Sequence, residues 1–225
     1  MRTSPNINHC YAVLTGDLVR SRSLSGEALQ GAHSGLRRAV AELRDAAWTE
    51  EPLPVGELDI FRGDSWQLLL REPGWALRAA VYLRASLLMQ GIADTRIAIG
   101  IGGVDRVAEE RVSQSAGEAF QLSGEALDAM GPRFRIALNP APSLALPARW
   151  AGLVAHLCDS VMAQWEGRQI EIARLACYYP DASHEEIGAR LSPPITQQAV
   201  SKSLLGSGWY GLAEALTVME SDSDE

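Results

Sequence analysis

The first 138 residues alternate between short apolar runs and longer amphipathic segments. Helical spacing of apolar positions predicts helices over Gly26–Ala47, over about Trp75–Met89 and over Gly117–Met130. The runs that predict strands are Tyr11–Gly16, Leu58–Arg62, Ser65–Leu70, Arg96–Gly102 and Phe134–Leu138. The second and third of these strands are separated only by a tight corner at Gly63 and Asp64, which predicts a hairpin.

This order of elements is β-α-β-β-α-β followed by one further helix and strand, which is typical of a ferredoxin-like α+β fold. The handedness of such units places the third strand between the first and the second, antiparallel to both. The end of the first strand and the hairpin then lie at the same edge of the sheet. We therefore expect Asp17, which follows the first strand, to lie near Asp64 in the hairpin.

The rest of the chain predicts an all-α segment. Asn139–Arg149 contains three prolines and is predicted to be a linker or strap. Helices are predicted at Ala151–Trp165, Gln169–Tyr178, Ser183–Leu191 and Thr196–Leu205. The predicted division is a sheet domain over 1–138, a proline-rich linker over 139–149, a helical domain over 150–220 and a disordered acidic tail over 221–225.

The last two predicted helices have the organisation of a helix-turn-helix. Ile187 and Leu191 supply the apolar face of the first helix, and Ala199, Val200, Leu204 and Leu205 that of the second. Residue types that reach DNA bases and phosphates are exposed on the second helix, at Thr196, Gln197, Gln198, Ser201 and Lys202. The alternative is a helical interaction or dimerisation domain.

Composition and charge limit the class of protein. With 47% hydrophobic and 21% charged residues, the chain has the composition of a soluble globular protein, and no apolar run approaches the length of a membrane span. We expect a cytoplasmic protein with no membrane partner. Cys10, Cys158 and Cys177 show no metal-ligand spacing, which favours buried thiols. Residues 139–225 carry a net charge of −6 of the total −8, which weighs against DNA contact.

Asp17 and Asp64 are the candidate metal ligands. Mg²⁺ (or Mn²⁺) prefers oxygen ligands and is usually held by one or two carboxylates together with substrate phosphates. The residues around these aspartates predict a phosphate-binding surface of backbone N–H groups and guanidinium groups: Gly16, Leu18, Arg20, Arg22, Arg62 and Gly63. The alternative is that Asp17 is a strand-end turn residue and Gly63-Asp64 an ordinary hairpin turn.

Three segments resemble a known family: TGDLVRSR (Thr15–Arg22), FRGDSWQ (Phe61–Gln67) and RIAIGIGG (Arg96–Gly103). They are similar to the SatD family, and their layout resembles the catalytic domain of class III nucleotidyl cyclases. The resemblance covers roughly residues 10–138 and implies a cyclase-like palm domain in which Asp17 and Asp64 hold Mg²⁺ (or Mn²⁺) beside a nucleoside triphosphate. It also raises a homodimer as a candidate state.

The chain departs from the cyclase pattern on the helix after the glycine-rich strand. Where those enzymes usually present an asparagine and an arginine, this chain has Gln121 and Glu125. A glutamate repels charge that develops on a phosphoryl group, and Arg106 or Arg111 would have to substitute. Three functions stay open: a nucleotide-binding regulator that contacts DNA, an active nucleotidyl cyclase or nucleotidyltransferase, and an interaction module with both sites vestigial.

Overall fold

The computed structural model describes residues 10–108, 111–144 and 148–221. The strands are β1 (Cys10–Leu18), β2 (Pro54–Phe61), β3 (Ser65–Leu70), β4 (Thr95–Gly103) and β5 (Ile136–Pro140). The α-helices are α1 (Gly26–Arg44), α2 (Ala76–Gln90), α3 (Glu118–Ala129), α4 (Ala148–Met162), α5 (Arg168–Tyr178), α6 (His184–Ala189), α7 (Gln197–Gly206) and α8 (Trp209–Ser221). Within the described ranges, no helix combines the length and the apolar character needed to cross a membrane.

The five strands form one sheet in the order β2-β3-β1-β4-β5. β1 runs antiparallel to both β3 and β4, β2 runs antiparallel to β3, and β5 runs parallel to β4. The predicted position of the third strand between the first and the second is confirmed. The chain therefore has a mixed α+β fold, with the strand order of a ferredoxin-like unit extended by α3 and β5.

Alternation along β1 gives the sheet two different faces. Leu14 and Leu18 point into the main core beneath α1 and α2, whereas Tyr11 and Val13 belong to a smaller apolar cluster on the α3 face. Gly100 lets α3 approach β4, because a Cβ there would lie 2.2 Å from the carbonyl oxygen of Ala119. The backbone of α3 thus lies directly against the sheet.

The C-terminal helices pack on the other side of α2, which is therefore buried nearly all round. Apolar residues of the sheet, α1, α2 and the C-terminal helices belong to one continuous core. The polar links are equally direct: Trp48 Nε1 donates to the carbonyl oxygen of Tyr178 at 2.9 Å, and buried Arg78 forms a two-point ion pair with Glu220 of α8. The helical segment is thus held against the α1/α2 layer.

The structure differs from the sequence expectations at several boundaries. β1 continues to Leu18, so Asp17 lies inside the strand and does not follow it. β5 includes Asn139 and Pro140, so the predicted linker overlaps a strand. Helix α8 was not predicted, and its residues Trp209 and Leu212 are buried. Met1–His9 and residues 222–225 of the predicted tail lie outside the described residues.

Candidate functional site

Asp64 ends the hairpin turn between β2 and β3. Phe61 pairs with Ser65 across the hairpin, and the turn contains two successive residues in the left-handed region, Arg62 at φ 52° and Gly63 at φ 83°. His33 of α1 donates from Nε2 to the carbonyl oxygen of Gly63 at 2.8 Å. The hairpin tip is therefore attached to α1, which limits the freedom of the Asp64 carboxylate.

Asp17 lies on the neighbouring strand, at the level of this turn. It is directly opposite Ser65 of β3, and the N–H of Leu18 donates to the carbonyl oxygen of Asp64 at 3.1 Å. The β1–β3 register thus places Asp17 of β1 and Asp64 of the hairpin turn, 47 positions apart in the sequence, on neighbouring backbone segments at one edge of the sheet. This is the juxtaposition that the topology predicted.

The carboxylate of Asp17 is bound by an arginine from the other neighbouring strand. Arg96 of β4 is opposite Asp17; its Nε donates to Oδ1 at 2.9 Å and its Nη2 donates to Oδ2. This hydrogen bonding is the main reason that the pKa of Arg96 is raised above its ordinary value. Burial acts in the opposite direction, and its effect is smaller. Both oxygens of Asp17 are engaged by one guanidinium group.

The carboxylate of Asp64 has weaker partners. Ser21 donates from Oγ to Oδ2 at 2.5 Å, and the hydroxyl of Ser65 lies 3.4 Å from Oδ1. These are neutral hydroxyl donors, so the charge of Asp64 has no bound cation among the described residues. Asp64 therefore remains able to accept a metal ion.

The two carboxylates fit a divalent metal site in donor chemistry, with one condition. Within the described ranges there is no group of three or more His, Cys, Asp or Glu side chains that could hold a metal ion. Mg²⁺ does not require such a group, because substrate phosphates and water complete its octahedral shell. The condition concerns Arg96, which donates to both oxygens of Asp17: a metal ion must either displace this guanidinium group or share the carboxylate with it.

Three arginines predicted to bind phosphate surround this edge of the sheet. Arg20, Arg22 and Arg62 are exposed, and no carboxylate of the described residues lies within ion-pairing distance of them. Arg20 at φ 56° and Arg62 are also the non-glycine residues of the described chain with positive φ. Both residues lie in turns, where a non-glycine residue most often adopts positive φ.

Fewer backbone N–H groups are available to bind phosphate than the sequence predicted. The N–H of Leu18 donates to Asp64 and that of Val19 to the carbonyl oxygen of Asp94 at 2.8 Å, so neither amide is free for phosphate. Gly16 is buried within the sheet, and a Cβ there would lie 2.3 Å from Trp66. The absence of a side chain at Gly16 is explained by packing against Trp66.

Several site residues were missed in the sequence. Arg96 and Ser21 are the partners of the two carboxylates, and His33 holds the hairpin. A buried hydrogen-bonded chain also crosses the α3 face, where Gln67 Nε2 donates to Thr15 Oγ1 at 2.9 Å and Thr15 meets Ser123 Oγ at 2.8 Å. Gln67 and Thr15 could have been found by assigning strand faces, whereas Arg96 required the β1–β4 register.

On α3, the two residues that differ from the cyclase pattern are exposed to solvent. Gln121 and Glu125 are exposed on α3, while Ser123 between them is buried against the sheet. Neither suggested substitute arginine is free. Arg111 forms an ion pair with Asp59 at 2.9 Å, and Arg106 donates from Nη2 to the carbonyl oxygen of Gln114 at 2.7 Å.

The predicted DNA-contacting residues lie on and just before α7. Gln197, Gln198 and Lys202 are exposed and, with Ser201, line a surface groove beside α6. Thr196 is the N-cap, and its hydroxyl accepts from the N–H of Ala199 at 3.3 Å. The expected apolar face was wrong at two positions, because Ala199 is exposed and Leu205 is 71% exposed.

No protein-family model matches the chain, and no curated protein does. A crystal structure of the guanylyl cyclase Cya2 is similar at 16% identity and a TM-score of 0.41, over 58% of this chain and 75% of that one. The structure of a bacterial light-regulated adenylyl cyclase is similar at 13% identity and a TM-score of 0.41, over 58% of this chain and 43% of that one. At this level of similarity, we infer function from the residues of this chain.

Proposed function

We propose that this protein binds a nucleoside triphosphate with Mg²⁺ (or Mn²⁺) at the Asp17–Asp64 edge of the sheet. The observation that carries the proposal is the β1–β3 register, which puts Asp17 opposite Ser65 and joins Leu18 to Asp64 by a backbone hydrogen bond. Two carboxylates at one strand edge match what Mg²⁺ takes from protein when phosphates supply its other ligands. The bound metal ion would neutralise phosphate charge beside Asp17 and Asp64.

The arginines at this edge suit the triphosphate. Arg20, Arg22 and Arg62 are exposed and free of carboxylate partners among the described residues. A guanidinium group binds phosphate oxygens in a two-point geometry, and three such groups can follow a chain of phosphates. On the basis of the same carboxylates and arginines, we propose that the chain is a member of the SatD family.

We propose further that α6 and α7 form a helix-turn-helix through which the protein contacts DNA as a nucleotide-responsive regulator. The capping box of α6 at Ser183 and Glu186 and the N-cap of α7 at Thr196 define two short helices joined by a turn. Gln197, Gln198 and Lys202 are available on the surface of α7. The low positive charge of this segment means that binding would require two copies acting on two half-sites. A homodimer is therefore part of the proposal.

An active metal-dependent nucleotidyl cyclase or nucleotidyltransferase is the second candidate. Its support is the presence of both carboxylates together with uncommitted arginines at the same edge. The exposed Glu125 and the engaged Arg106 and Arg111 weigh against it. Incubation with labelled triphosphates and Mn²⁺ would give a new nucleotide product if this candidate holds. If the triphosphate binds and no product forms, the regulator remains the supported function.

The test of the binding proposal is a thermal-stability screen of nucleoside triphosphates with Mg²⁺. A ligand at ~100 times its Kd stabilises the native state by ~2.7 kcal/mol, which is a readily measured shift in melting temperature. We expect Asp17→Asn and Asp64→Asn each to abolish the shift. Asp181→Asn, which removes an exposed aspartate elsewhere, should retain it. Melting curves unchanged by every triphosphate would refute the proposal.

A further inference from the structure

Arg96 and a divalent metal ion require the same oxygens of Asp17. The two-point ion pair is formed by residues directly opposite each other on β4 and β1, so its geometry is fixed by the sheet. Both side chains are only partly exposed, 32% for Arg96 and 20% for Asp17. A metal ion that binds alone must either break this ion pair or use the remaining lone pairs of the same carboxylate. It must also leave a guanidinium group next to a divalent cation.

A triphosphate changes this balance. Its oxygens are the two-point acceptors that a displaced guanidinium group needs. Asp17 would then hold the metal ion while Arg96 pairs with phosphate, so neither charge would lose its partner. A metal ion without triphosphate supplies no new acceptor for the guanidinium group of Arg96. Asp128 on α3 is the other acid whose charge raises the pKa of Arg96, but it is exposed and its effect is smaller than that of Asp17.

We propose that Arg96 is an internal cation that occupies Asp17 until metal and triphosphate arrive together, which makes their binding cooperative. This inference rests on the proposed function. It adds a regulatory role for a residue of β4 at that same site. By thermodynamic linkage, the factor by which triphosphate strengthens metal binding equals the factor by which metal strengthens triphosphate binding.

The test is Mn²⁺ binding to the full chain, followed by the loss of the free-ion EPR signal. Arg96→Gln removes the competing charge, and Arg149→Gln is the matched control. Arg149 is exposed at the start of α4, which follows the far end of β5 from Arg96. We expect Arg96→Gln to bind Mn²⁺ alone ~10-fold more tightly than the wild type, which corresponds to ~1.4 kcal/mol. Arg149→Gln should bind like the wild type.

Inorganic tripolyphosphate, which has no base, provides the second arm; because it chelates Mn²⁺ in solution, protein-bound Mn²⁺ is measured in this arm by equilibrium dialysis. In the wild type it should strengthen Mn²⁺ binding, and in Arg96→Gln this gain should be much smaller. Arg96→Lys keeps the charge but loses the two-point geometry, so it should fall between the two. This variant also provides a readout if Arg96→Gln does not fold.

Two failures are distinguishable. If the wild type binds Mn²⁺ and Arg96→Gln binds it equally or more weakly, Arg96 supports Asp17 and does not compete for it, so the inference is wrong. The proposed function then survives. If neither the wild type nor any Arg96 variant binds Mn²⁺, with or without tripolyphosphate, the proposed function is wrong and the inference with it.

Discussion

Arg84 of α2 binds Asp159 of α4 and Asp94 before β4 with one buried guanidinium group. Asp94 in turn accepts the N–H of Val19 through its carbonyl oxygen, and Val19 follows the strand that carries Asp17. A short chain of polar contacts therefore connects the helical segment with the candidate site. The sheet edge and the C-terminal helices are parts of one packed structure.

Removing Asp159 should destabilise the fold strongly. Asp159→Ala leaves the buried Arg84 with Asp94 alone and takes away the acceptor of the Arg135 N–H, which lies 2.7 Å from Oδ2. We expect a loss of about 3 kcal/mol in the free energy of unfolding, measured by chemical denaturation. The exposed Asp181→Ala should change it by less than ~0.5 kcal/mol. Equal effects of the two variants would show that the Arg84 contact contributes nothing.

Asp59, whose carboxylate accepts hydrogen bonds from Arg111 and Ser113, should make the stability of the protein depend on pH in the acid range. Burial alone would raise the pKa of Asp59, but hydrogen bonds from Arg111 and Ser113 outweigh it and hold the pKa below its usual value. The stabilisation is therefore present above the unfolded pKa of ~3.9 and is lost as pH falls through the folded pKa. Asp59→Asn should be less stable than the wild type at neutral pH, and the difference should shrink as the pH approaches the folded value. Parallel curves over the whole range would contradict this.

Two of the three cysteines should be unreactive in the native protein. Burial raises the pKa of Cys158 to about 11 and that of Cys177 to about 12. A thiol reagent at pH 8 should therefore label only Cys10 rapidly, because it is the one cysteine that is partly exposed. Mass spectrometry identifies the modified residue, and unfolding should release all three for labelling. Rapid native labelling of Cys177 would show that its surroundings open readily.

The exposed face of α7 should control any DNA contact. Gln198→Ala and Lys202→Ala should each weaken a gel shift of pooled genomic promoter fragments at low salt. Loss of one lysine–phosphate contact should reduce the slope of log affinity against log salt by ~1. Gln30→Ala, at an exposed position on α1, is the control. No retardation by the wild type would leave α6 and α7 as an interaction module.

The sequence predicted features that depend on local pattern and on topology rules. Strand and helix order, the hairpin before Asp64 and the strand order followed from periodicity and handedness. The ion pair between Arg96 and Asp17 did not, because it depends on which residues of β1 and β4 are opposite each other. The α8 helix and the all-round burial of α2 were also missed, since both result from packing of distant segments.

The most direct test of the central claim is the position of a metal ion in crystals grown with Mn²⁺ and a non-hydrolysable triphosphate. Anomalous scattering locates Mn²⁺ independently of the side chains. We predict one peak within about 2.1 Å of a carboxylate oxygen of Asp17 and of Asp64, with Arg96 turned from Asp17 towards phosphate. A nucleotide bound elsewhere, with Arg96 still paired with Asp17 and no peak at this edge, would contradict the account.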